Sequence, residues 1–193
     1  MMESVRIPYD RVAVLIGSKG ETKAMLERAT GTSLHIDPEG LVGISAKEPY
    51  SAFKMKDVIR AIGRGFSPSD ALALMRDEQY LEVVDLKDVL GTDKARERQK
   101  GRVIGEEGKM KAMLEECSGA KVRIYGNTVS ALGQLEEVAL AVAAINKLIE
   151  GKSHSFVHSF LQKGRRRLKE ERMVNMWESP VETSAKKRER RGR

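Results

Sequence analysis

Apolar positions along the chain change period several times, and each change marks an element. Val5 to Pro8 is a short apolar run that reads as a strand, and Asp10 is placed to cap a short helix reaching Ile16. Gly17-Ser18-Lys19-Gly20 interrupts the pattern. From Glu21 to Thr30 the spacing is helical again, with Ala24, Met25, Leu26 and Ala29 apolar, and Gly31 stops it. Ser33 to Asp37 sets Leu34 and Ile36 against polar neighbours, a strand that turns at Asp37-Pro38-Glu39-Gly40 and returns as Leu41 to Ser45. Pro49 to Ile62 then carries Phe53, Met55, Val58, Ile59 and Ile62 on an amphipathic helix. The order is strand, helix, glycine loop, helix, strand, strand, helix.

The second half repeats that order. Tyr80 to Asp85 reads as a strand, Asp93 to Ile104 as a charged helix, and Gly105-Glu106-Glu107-Gly108 as the loop. Helix Lys109 to Ser118, strand Lys121 to Tyr125, a turn at Gly126-Asn127, strand Thr128 to Leu132 and helix Leu135 to Glu150 follow. The halves align without a gap: Ile16 to Ile36 lies over Ile104 to Ile124 at an offset of 88, with 10 of 21 positions identical. Gly65 to Leu72 also matches Gly151 to His158 in character, so the repeat extends past the long helix. A duplication of this size means two copies of one folding unit. It divides the 193 residues into 1–78, 79–172 and a tail, 173–193, in which the pattern dissolves and disorder is expected.

Charge refines the division. Residues 1–150 are nearly neutral at −1, whereas residues 151–193 carry +8 of the net +7. An excess of cations in one terminal segment points to a polyanionic partner through counterion release. Lys163, Arg165, Arg166 and Arg167, and again Lys186 to Arg193, read as nonspecific phosphate contacts. No apolar run approaches the roughly 20 residues that a membrane helix needs, and the start has no signal-peptide core, so a cytoplasmic protein is expected. The single cysteine, Cys117, reads as a core thiol.

Ile-Gly-x-x-Gly between two short helices, followed by a glycine-closed turn into a strand, resembles the KH domain. The match covers residues 4–65 and 80–152, and it rests on Leu15-Ile16-Gly17-x-x-Gly20 with Thr30-Gly31 and Leu34-x-Ile36, present twice. The resemblance implies an α+β fold of two tandem type I (eukaryotic-type) KH domains, βααββα each, followed by a C-terminal helix and the basic tail. Two glycines let a backbone turn sharply and approach a ligand with no Cβ in the way. The second opens a helix whose free N–H groups and dipole favour a phosphate. A single strand would run along the groove between this loop and the hairpin, about four nucleotides with their bases on apolar side chains.

The candidate RNA-binding residues follow. Ile16, Gly17, Ser18, Lys19 and Gly20 form the first clamp, with Lys23 one turn on. Ile104, Gly105, Glu106, Glu107 and Gly108 form the second, with Arg102, Lys109 and Lys111 beside it. Lys19 adds a phosphate partner, whereas Glu106 and Glu107 put carboxylates where phosphates should pass, so charge alone favours the first loop. Lys23 and Lys111 stand where KH domains usually bury an aliphatic, and a lysine stem can cover core while its head stays in water. Arg123, outward on its strand, is the candidate base reader, or else an ordinary exposed strand arginine.

The junction Ala61 to Gly91 and the run Gly101-Arg102-Val103-Ile104-Gly105-Glu106-Glu107-Gly108-Lys109-Met110-Lys111 resemble the tandem-KH ribosome-assembly factors of the partner-of-Nob-endonuclease family, in an archaeal-type form. That resemblance implies single-stranded RNA near the 3′ end of small-subunit ribosomal RNA as ligand. It also implies a maturation endonuclease and a dimethylase as protein partners, with the second copy as the main reader. A protein-docking scaffold for an assembly or translation factor, or a general messenger-RNA or decay adaptor, are the competing readings. The spacing of a nucleotide-hydrolysing P-loop is missing. His154 and His158 lack a third metal ligand in the sequence nearby, and no nucleophile–base set is visible, so the chain is expected to be no enzyme and to need no metal or cofactor.

Overall fold

The computed structural model describes residues 2–189. Strand β1 (Met2–Arg6) leads to α1 (Tyr9–Ile16), a 3-10 turn at Ser18–Gly20, α2 (Glu21–Thr30), the hairpin β2 (Thr32–Ile36) and β3 (Leu41–Ala46), and α3 (Pro49–Gly63). A short α4 (Pro68–Ala71) and a 3-10 turn (Leu72–Met75) join this unit to β4 (Tyr80–Asp85). The second unit continues with α5 (Leu86–Val89), α6 (Asp93–Ile104), a 3-10 turn (Glu106–Gly108), α7 (Lys109–Ser118), β5 (Lys121–Tyr125), β6 (Thr128–Gly133), α8 (Leu135–Ile149) and α9 (His154–Glu189). Each unit holds a three-stranded antiparallel sheet, in the orders β1-β3-β2 and β4-β6-β5.

Local chemistry sets most boundaries. Gly31 and Gly119 end α2 and α7 in left-handed conformation. Thr92 caps α6 by accepting the Ala95 amide, and Gln134 with Glu137 forms a capping box on α8. Other boundaries differ from the sequence pattern. Strand β1 lies earlier than Val5 to Pro8, because its register on β3 runs from Met2 opposite Ser45 to Arg6 opposite Leu41. Asp10 does not cap α1: Pro8 precedes the helix, and Asp10 sits within the first turn where its charge favours the dipole. Phe53, placed with the apolar positions of α3, is 61% exposed. Backbone remains helical past Arg172 to Glu189, where an irregular tail was anticipated; Glu178, Glu182, Lys186, Lys187, Arg188 and Glu189 are good helix formers, with Pro180 the exception among them. Arg190 to Arg193, and the side chains of Trp177, Lys186, Lys187 and Arg188, lie outside the described residues.

The first core gathers Leu15, Leu26, Ile44, Met55, Ile59, Ile62 and Phe66. The second gathers Leu86, Val103, Leu114, Ile145, Leu148, Val157 and Leu161, so α9 is anchored by its first turns. The units touch across the outer face of the second sheet. All six residues of β6 are buried, and Leu132 and Leu81 belong to the first unit's core. On β5 the alternate residues Lys121, Arg123 and Tyr125 face the same junction. Lys121 and Arg123 both bond Asp70, the Arg123 guanidinium lies 5.6 Å from the Phe66 ring, and Tyr125 donates to Asp10. The Lys121 ammonium, joined by the Ser67 hydroxyl and Arg123, holds the Asp70 carboxyl below the usual range. Burial, reinforced by the Asp10 carboxylate, pushes the Tyr125 phenol up.

Candidate nucleic-acid interface

The two glycine loops have one backbone. Gly17 has φ 73° and ψ −179°, and Gly105 has φ 74° and ψ 175°, a region that only glycine occupies readily. A Cβ on Gly17 would overlap the Thr22 side chain, and one on Gly105 would stand 2.6 Å from Met110 Cβ. The first glycine is therefore demanded by the loop's own helix. Gly20 (φ 82°) and Gly108 (φ 77°) are left-handed with nothing within 4 Å of an added Cβ. The second glycine thus faces open solvent, which is where a ligand backbone could approach.

Between them, Lys19 (φ 50°) and Glu107 (φ 52°) are the positive-φ non-glycine residues among those described, at the same place in each loop. Each costs on the order of 1–2 kcal/mol as a left-handed L-residue. Both loops hold this strain and project their middle residues: Ser18, Lys19, Glu106 and Glu107 are exposed. The amides opening each turn, like those at the start of any helix, have no partner within it. Ile16 and Ile104, 37% and 39% exposed, present a branched apolar side chain just before each loop. In the first unit an open apolar groove continues from Ile16 across Ala13 and Val12 to Ile36 and Pro38.

Charge separates the loops as the sequence implies. Lys19 has no ion pair among the described residues, whereas Glu107 is 3.0 Å from Lys109. Glu106 projects without a cationic partner among the described residues. Lys23 and Lys111 are half-buried and reach back to Glu27 (4.0 Å) and Glu115 (3.6 Å) on their own helices, their stems lying on the helix surface.

Other candidates sit away from the loops. Arg102 donates to the carbonyl of Lys152, bracing the turn between α8 and α9. Arg123 is not in the groove: its place on β5 turns it to the junction, where it bonds Asp70 and reaches round the sheet edge to Glu115 at 3.0 Å. Periodicity identified its outward face but could not reveal that the first unit covers that face. On α9, Arg165 pairs with Glu116, Arg166 with Glu170 and Arg167 with Glu171, while Lys163 stays unpaired among the described residues. Such exposed pairs contribute roughly 0–1 kcal/mol and exchange readily for phosphate. Among the described residues no group of three or more His, Cys, Asp and Glu could hold a metal ion, and no helix is long and apolar enough to cross a membrane.

Sequence reasoning missed a pair of glutamates. Glu27 accepts the Leu34 amide at 2.7 Å, and Glu115 accepts the Val122 amide at 2.8 Å, each tying its helix to the adjoining edge strand. The bonds are related by the repeat offset, and identity of the two glutamates within the aligned block was the available signal. Glu115→Ala should lower the unfolding free energy by about 1–2 kcal/mol, because an edge amide loses its acceptor. Glu115→Gln, which keeps an acceptor, should lose less; urea denaturation distinguishes them, and equal stability for all three proteins would contradict the role.

Comparison with known proteins supplies a context. A family model described as eukaryotic-type KH domain (KH-domain type I) matches residues 80–166. A KH domain-containing protein of Methanocaldococcus jannaschii, MJ0443, is 43% identical over 180 residues, covering 91% of this chain and 79% of that one. The pre-rRNA-processing protein pno1 of Aspergillus fumigatus is 33% identical over 120 residues, 61% of this chain; this chain spans only about half (48%) of its length. Among solved structures, a crystal structure of an a/eIF2alpha-aDim2p-rRNA complex from Pyrococcus horikoshii contains a chain 40% identical, with a TM-score of 0.80, covering 86% of this chain and 95% of that chain.

Proposed function

Because the chain belongs to the PNO1/Dim2-type family of KH-domain proteins, we propose that it binds single-stranded ribosomal RNA during maturation of the small subunit, near its 3′ end. In this reading both units are type I KH domains, and the chain works by binding rather than by catalysis. The observation that carries it is the duplicated exposed loop: two strained backbones of the same geometry, each offering helix-opening amides beside a solvent-facing second glycine. Preset donors of this kind suit a sugar-phosphate chain, and the exposed isoleucines and apolar groove suit the bases. The maturation endonuclease and the dimethylase are proposed as neighbours on the same RNA.

Chemical footprinting on precursor and mature small-subunit RNA tests the reading. Protection confined to the 3′-terminal region is expected, and Ser18→Asp with Lys19→Asp should weaken it by placing carboxylates on the phosphate path. Protection absent, or scattered over the RNA, would overturn the assignment.

A second reading has its own support. The Pyrococcus relative shares its complex with the initiation-factor subunit a/eIF2alpha as well as with RNA. We therefore propose that one face of this chain docks such a factor at the same time; binding of the factor that competes with RNA would argue against simultaneous docking.

A further inference from the structure

Helix α9 carries an aromatic stripe in which Phe160 packs partly against the second core and Phe156 lies free of it. Val157 and Leu161 bury its core face completely, whereas Phe156, one position round, is 48% exposed. Phe156, Phe160 and Lys163 recur at helical spacing along one side with Ser155 and Ser159, lining an open surface groove. Each ring has a cation on it: Lys152 Nζ lies 6.0 Å from the Phe156 centroid, and Lys147 Nζ lies 4.9 Å from that of Phe160. Lys147, Lys152 and Lys163 enter no ion pair among the described residues, although many of the protein's other cations do. The site is therefore apolar in its middle and positive around it, without compensating carboxylates. Its first lysine is tied to the helix that leads into the second loop, since Arg102 of α6, two residues before Ile104, donates to the carbonyl of Lys152.

We propose that the stripe Lys152–Phe156–Phe160–Lys163 is a stacking platform for single-stranded RNA, extending the strand gripped by the second loop. Rings that bases can lie on, set among cations that accept the backbone, bind single strands with little regard to sequence. This inference rests on the RNA-binding reading above. It adds to that reading a second contact zone outside the groove, one that only a strand longer than about four nucleotides would reach.

The full chain is titrated by fluorescence anisotropy with a labelled twelve-nucleotide single-stranded RNA pool of randomised sequence. Phe156→Ala, an exposed truncation, should weaken binding by about fivefold to a hundredfold, the range for losing one stacked base. Phe156→Trp should hold or tighten binding, and Lys152→Glu should weaken it. Circular dichroism melts should show all three variants folded as the parent is. Gly108→Asp in the second loop is the control. If it abolishes binding while Phe156→Ala binds as the parent does, the platform is overturned and the loop reading stands. If tryptophan fails as alanine does, stacking is not the mode of contact and the platform is likewise overturned. If the unaltered protein binds neither this pool nor ribosomal RNA, both readings fall together.

Discussion

Replacing Gly105 with alanine is expected to destabilise the second unit severely, whereas replacing Gly108 with aspartate should leave it folded and remove its RNA binding. The two glycines are three residues apart in one loop, yet they answer to different constraints. Gly105 occupies a backbone region nearly exclusive to glycine, and its missing Cβ makes room for Met110, whose own Cβ would be 2.6 Å away. Backbone strain alone costs on the order of 1–3 kcal/mol, and displacing α7 from its first turn adds to this. A fall in melting temperature of about 4–8 °C per kcal/mol is expected for a unit of this size.

Gly108 is left-handed, a conformation that aspartate tolerates at modest cost, and space beyond its Cα is empty. The aspartate would point where a phosphate is proposed to sit, so affinity should fall by about tenfold or more, while the melt falls only by the few degrees that one left-handed residue without a clash costs. Calorimetry and RNA titration on both variants check the division. A Gly108→Asp protein that binds normally would show that the open side of this loop faces no ligand.

The second large effect should be a gain. Glu106→Lys with Glu107→Lys is expected to tighten RNA binding by about tenfold or more at low salt, since two repulsive charges become attractive ones. Both side chains project to solvent, and the pairing of Glu107 with Lys109, at 76% and 69% side-chain exposure, is too weak for its loss to disturb the fold. The plot of log affinity against log salt should steepen by about 1.4, from roughly 0.7 per added phosphate contact on a single strand. Titration at several ionic strengths measures both quantities. Unchanged affinity and slope would remove the second loop from the phosphate path and leave the first as the clamp.

Much of this arrangement was legible in the sequence, and the reasons are local. Glycines after α2 and α7, the two loops and the hairpin turn fix chain direction through conformations that few other residues adopt, so helices Glu21–Thr30 and Lys109–Ser118 fall where spacing puts them. Elements decided by long-range pairing were less visible. Strand β1 takes its register from β3, and the four-residue α5 is too short for a period and depends on Asp85 accepting the Lys87 amide. The loop residues of the site were equally plain, because duplication marked them. Arg123 shows the limit. Alternation tells which face of a strand a side chain occupies, but which neighbour covers that face is settled by the docking of two units, and no single stretch of residues encodes it.

The glutamate bonds to Leu34 and Val122 bear on self-association. Both β2 and β5 are sheet margins, and an unoccupied margin offers its N–H groups to any extended polypeptide. In each unit an outward-facing amide of that margin is already taken by a carboxylate of the same chain. A foreign strand would have to expel a charged acceptor to enter, so at the high concentrations of a crowded cell these flanks resist polymer growth.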